Sequence, residues 1–102
     1  MNTLRIENRV HDYDSWRQAF DKFDALRREK GVRAYRVSRP ADDPLRVFID
    51  LDFDSATRAE DFRETLAKIW RTPQSRDQLA DHVQPLVLDI LADVHYPPTA
   101  PA

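Results

Sequence analysis

From Leu45 to Asp54 the chain alternates: Leu45, Val47, Ile49, Leu51 and Phe53 fall on one side, and Arg46, Phe48, Asp50, Asp52 and Asp54 on the other. Strict period two over this length predicts a half-buried strand. Near the N-terminus Leu4, Ile6, Asn8 and Val10 alternate with Arg5, Glu7, Arg9 and His11 in the same way. Toward the other end Leu86, Leu88, Ile90, Ala92 and Val94 alternate with Val87, Asp89, Leu91, Asp93 and His95. Residues 32–39, VRAYRVSR, are rich in strand formers but mixed in phase: Tyr35 and Val37 point one way, Val32 and Ala34 the other. A bulge would reconcile them. The PADDP that follows supplies turn chemistry before the next strand.

Between the strands the period changes. In DYDSWRQAFDKFDALRREKG, Tyr13, Trp16, Ala19, Phe20, Phe23 and Leu26 recur at spacings of three and four, which predicts one amphipathic helix. Asp12 and Asp14 sit at its positive end, Arg27, Arg28 and Lys30 at its negative end, and Gly31 caps it. Farther on, Thr57-Arg-Ala-Glu60 resembles a capping box, and Ala59, Phe62, Leu66, Ile69 and Trp70 form a second stripe. Thr72-Pro73 ends that helix and starts a short third one reaching Leu79 to His82, with Pro at its first position.

Asp50, Asp52 and Asp54 imitate the opening of a calcium loop. That loop also needs Gly at its sixth position and Glu at its twelfth. Ser55 and Asp61 stand there instead, and Arg58 occupies a ligand position. The segment reads as a strand, not a cation site.

Composition narrows the chemistry. The chain has 102 residues, a size for one domain, and a net charge of −2. A nucleic-acid binder needs a basic surplus, so that partner is not expected. No apolar run is long enough for a membrane span, and the N-terminus lacks signal-peptide character. With no Cys, thiolate chemistry and Cys-ligated metals are excluded, and a cytoplasmic location is the expectation. Gly31 is the only glycine, which excludes a P-loop, a dinucleotide-binding turn and a G-x-S-x-G elbow. His11, His82 and His95 lack metal-ligand spacing. No metal or cofactor is expected, the alternative being a His–Asp cluster that joins His11 and His95 to the aspartates.

The order β-α-β-β-α-(short α)-β predicts an α+β domain over residues 1–96, ferredoxin-like, with a four-stranded antiparallel sheet and helices on one face. The Pro-rich residues 97–102 are expected to form a mobile tail. The open face would carry Arg5, Glu7, Arg9, Asp50, Asp52, Asp89, Asp93 and His95. With the first strand between the third and fourth, Arg5 and Arg9 would stand between two rows of aspartates. Such cross-strand pairs contribute about 0.2–1 kcal/mol each.

Three segments carry a resemblance: VHDYDSWRQAFD, RREKGVRAYRVSRPADDP and FIDLDFDS. Apart from its last few residues, the chain resembles the dimeric α/β-barrel superfamily, near the antibiotic biosynthesis monooxygenase-like group. The resemblance implies a homodimer whose sheets pack face to face into a barrel, with the charged face at the dimer interface. It also implies a small-molecule site between sheet and helices, as in cofactor-independent monooxygenases. Trp16, Tyr35, Phe62 and Trp70 would wall that site, and Asn8 and His82 would be its catalytic groups, His82 as the base. Asn8 interrupts an otherwise apolar row and so requires a partner or a ligand. Three classes follow: a small oxygenase or cyclase acting on an aromatic or polyketide-like molecule, a non-catalytic ligand-binding or interaction dimer, and a haem-binding or haem-degrading protein. The last rests on Asn8, Trp70 and His82, which echo the Asn, Trp and His of the haem-degrading branch. Aligning through Phe62, however, puts Thr65 where that branch has its Trp.

Overall fold

Three side-chain caps set where the long elements begin. In the computed structural model, which describes residues 1–99, β1 spans Asn2–Val10. It is followed by α1, Tyr13–Asp21, where the Asp12 carboxylate accepts the Ser15 backbone N–H at 2.8 Å. Next come α2 (Asp24–Glu29), β2 (Ala34–Ser38) and β3 (Arg46–Phe53). Helix α3, Ala56–Trp70, is capped by Ser55, whose hydroxyl accepts from the Arg58 N–H. The cap therefore lies two residues before the expected Thr57. Thr72 caps α4, Pro73–Gln78, with Pro at the first turn, and β4 (Leu79–His82) and β5 (Leu86–Asp89) complete the fold. Each such cap contributes about 1 kcal/mol by satisfying an orphan N–H.

The elements form an α+β domain with an open antiparallel sheet, compatible with the ferredoxin-like pattern. The sheet runs β2-β3-β1, and both β4 and β5 pair with the far side of β1. β4 lies opposite Asn8–Val10 and β5 opposite Asn2–Arg5, so five strands occupy four positions rather than forming four continuous strands. Pro85, buried between them, has no N–H to donate and breaks the ladder. The Val83 N–H still reaches the Glu7 carbonyl at 3.0 Å, which keeps the two short strands in line.

The core follows the alternation. Leu4, Ile6 and Val10 of β1 and Val47, Ile49, Leu51 and Phe53 of β3 are buried against Trp16 of α1 and Ala59 and Phe62 of α3. Burying each large apolar side chain contributes about 1.5–3 kcal/mol, which makes this layer the main source of stability. In β2 the phase resolves without a bulge: Tyr35 and Val37 pair with Leu51 and Ile49 and so share the helix side.

The first helix is not continuous. It breaks at Lys22 and Phe23, where no Gly or Pro stands, and Phe23 takes φ −93°, ψ 12°. Gly31, at φ 91°, then ends α2 in the left-handed region that glycine adopts freely.

The last strand has the opposite phase to the one its alternation suggested. Leu86 pairs with Arg5 and Leu88 with Thr3 on the open face, while Val87 and Asp89 pair with Leu4 and Asn2 on the helix side. Val87 packs against the core, and Asn2 donates to the Asp89 carboxylate at 2.6 Å. Asp89 thus leaves the charged face. Asp93 and His95 lie beyond β5, outside the sheet, and form an exposed pair of their own at 2.9 Å. Residues 97–99 of the expected tail contain no helix or strand, and 100–102 lie outside the described residues. Among the described residues no helix is long and apolar enough to cross a membrane.

Candidate functional site

A half-open cavity of about 120 Å³ lies between the helices and the sheet. Its floor is strand-borne: Ile6 and Asn8 from β1, Ile49 and Leu51 from β3. Trp16 and Phe20 of α1 and Phe62 and Trp70 of α3 form its walls. The short α4 adds polar groups, including Gln74, Ser75 and Gln78. Trp16 and Phe20 stack with ring centroids 5.0 Å apart, which stiffens one wall. An engineered apolar cavity of about 150 Å³ holds a benzene, so this space suits a single ring. Pockets for drug-sized ligands run to roughly 300–1,000 Å³.

Two polar side chains in this wall lack partners. Asn8 is 5% exposed, and its Oδ1 accepts no hydrogen bond. An unpaired buried acceptor costs about 1–3 kcal/mol. Asn8 belongs to the buried face because the β1 alternation puts it there, between Ile6 and Val10.

Arg27, the second, stands among the cations at a helix end, where a solvated side chain is the ordinary state. It is 4% exposed. Arg27 Nη1 donates to the Phe20 carbonyl at 2.7 Å. The guanidinium carbon lies 3.8 Å from the centre of the Phe20 ring, a close cation–π contact. Nε and Nη2 have no hydrogen-bond acceptor. The Asp24 carboxylate is 3.8 Å from Nη2, beyond hydrogen-bond range, and its other oxygen takes the Arg28 Nε at 3.0 Å. Burial lowers the Arg27 pKa from its ordinary value, with Tyr35 and Asp24 opposing that shift. A guanidinium remains charged nonetheless.

Of the residues expected at a small-molecule site, Asn8, Trp16, Phe62 and Trp70 meet in this cavity. Tyr35 does not. It is 38% exposed and stands behind Phe20, with ring centroids 5.3 Å apart, where its hydroxyl accepts from Arg17 at 3.3 Å. His82 also falls outside the cavity wall. The residues expected to extend the third helix form β4 instead, and there His82 pairs with Asn8 and stacks on Trp70 at 4.0 Å. His82 lines a separate polar cleft shared with Glu7, Arg9 and Asp81. Among the described residues, no His, Asp or Glu lines the main cavity. No cluster of three or more His, Asp or Glu able to hold a metal occurs among them either.

The open face of the sheet is paired throughout its centre. Arg5 offers Nε and Nη2 to the two Asp50 oxygens at 2.9 and 3.0 Å. That bidentate bond raises the Arg5 pKa further. Arg46 donates to Glu7 at 3.2 Å, Arg9 to Asp43 at 3.1 Å, and the Thr3 hydroxyl to Asp52 at 2.5 Å. Beside these pairs Leu86 and Leu88 remain 56% and 37% exposed.

No family model matches the chain, and no curated protein or solved structure matches it significantly.

Proposed function

We propose that this chain is a homodimeric small-molecule-binding protein of dimeric α/β-barrel type, whose cavity between helices and sheet takes a ligand about the size of one aromatic ring. The carrying observation is the unpaired Asn8 Oδ1 in an otherwise apolar floor. A donor on a ligand would satisfy that oxygen, and Trp16 and Trp70 would supply flat apolar walls. Dimerisation is supported by the open sheet face: Leu86 and Leu88 leave apolar area beside ion pairs whose geometry can fix register.

A catalytic reading, that of a cofactor-independent monooxygenase or cyclase, requires a substrate that arrives already ionised. The cavity wall contains no carboxylate or imidazole to remove a proton. Its polar groups, Asn8 and Arg27, suit the stabilisation of an enolate or phenolate. Haem is the poorest fit, since a tetrapyrrole exceeds the cavity and His82 lies outside it.

The test uses the two wall tryptophans. Phenol titrated against the protein should quench their fluorescence saturably, and Asn8→Val should weaken that binding about tenfold, about 1.4 kcal/mol. A linear, unsaturable response would remove the cavity reading. Oxygen uptake with dimedone, a single-ring diketone that is already an enolate at neutral pH, without added metal or flavin, separates enzyme from binder.

A further inference from the structure

We propose that Arg27 makes the cavity a receptor for a small carboxylate carried on a single apolar ring. The inference rests on the cavity being a ligand site and names the chemical class it selects. Nε and Nη2 of a guanidinium form one planar edge, which matches the two oxygens of a carboxylate. On the open face of this same protein that edge of Arg5 is filled by Asp50, at 2.9 and 3.0 Å. At Arg27 the same two donors are empty.

The surroundings decide what fills them. Phe20 covers one face of the guanidinium and Nη1 donates to the Phe20 carbonyl, so the Nε–Nη2 edge is the one that holds two unpaired donors. Arg27 lines the cavity while Nε and Nη2 themselves are covered, so an anion would reach that edge only after the guanidinium turns toward the cavity. Asp24 offsets it only in part: its Oδ1 lies 3.8 Å from Nη2, an ion pair beyond hydrogen-bond range, while Oδ2 takes Arg28. Walls of Trp16, Phe62 and Trp70 favour a ring over a multiply charged phosphate, and about 120 Å³ limits that ring to one. Asn8 Oδ1 adds a site for a hydroxyl or amine on the ligand.

The test compares benzoate with benzamide, which has nearly the same shape and no charge, using tryptophan fluorescence of the intact protein. Benzoate is expected to bind at least about tenfold tighter, equivalent to about 1.4 kcal/mol. Arg27→Met should erase that preference, while Arg27→Lys, which keeps charge without the planar edge, should retain part of it. Equal binding of the two probes by the unaltered protein overturns the carboxylate assignment and leaves the cavity reading standing. Survival of the preference in Arg27→Met overturns it as well, by showing that the anion binds elsewhere. If neither probe changes the fluorescence, the cavity reading itself fails. The comparison in the unaltered protein decides the matter even if Arg27→Met does not fold.

Discussion

The two faces of the sheet use arginine in opposite ways. On the open face Arg5 is half exposed, and Asp50, its cross-strand neighbour, fills its donor edge. On the helix side Arg27 is buried, stacked on Phe20, and the same edge is empty. Water could solvate Arg5 if Asp50 were absent, so that pair contributes little. Little water reaches Arg27, so its charge is held at a cost that the rest of the core must carry. A protein keeps such a group most readily where something else completes it.

The comparison can be broken in several ways. The largest expected effect tests the layer that holds both faces: Phe53→Ala should destabilise the fold by about 3–5 kcal/mol in urea unfolding. A loss under about 1 kcal/mol would mean that the layer is not the core. Next is the open face. Leu88→Glu should weaken self-association about thirtyfold, about 2 kcal/mol, and shift the light-scattering mass at micromolar concentration from dimer toward monomer. An unaltered protein that is already monomeric there would end the barrel proposal. Arg27→Met should stabilise the ligand-free protein by about 1 kcal/mol, because it removes a buried charge whose Nε and Nη2 lack acceptors and keeps the stem. The same change at Arg5 should lower monomer stability by about 0.5 kcal/mol, as an exposed pair is screened by water. Opposite signs for one substitution would establish the contrast between the faces; equal signs would dissolve it.

Much of the frame was readable from the sequence because β1 and β3 have one apolar phase each. Leu4, Ile6 and Val10, or Val47 to Phe53, leave no second way to bury the strand. The last strand was not readable in this way. Leu86 and Leu88 favour one phase and Val87 and Leu91 the other, so periodicity could not choose, and pairing with β1 beyond Pro85 did. His82 was misassigned because helix and strand compete at Leu79–His82, and backbone pairing with Asn8 and Arg9 decided for the strand. Arg27 was missed for a different reason: its spacing of seven from Phe20 and four from Phe23 puts it on the apolar stripe, but a basic side chain at a helix end ordinarily turns toward the dipole and water.

Alternation, caps and the single glycine are local signals. They determined the types of the central strands and the long helix, the buried positions of those strands and the presence of Asn8 on the apolar side. Which residues border the cavity depends on a helix break at Lys22–Phe23 that no residue type announces, and on a strand register fixed by distant partners. Those are properties of packing: a side chain's surroundings are set by what the rest of the chain brings to it, and only the folded molecule shows Arg27 as the one cation, among the described residues, in the wall of a largely apolar cavity.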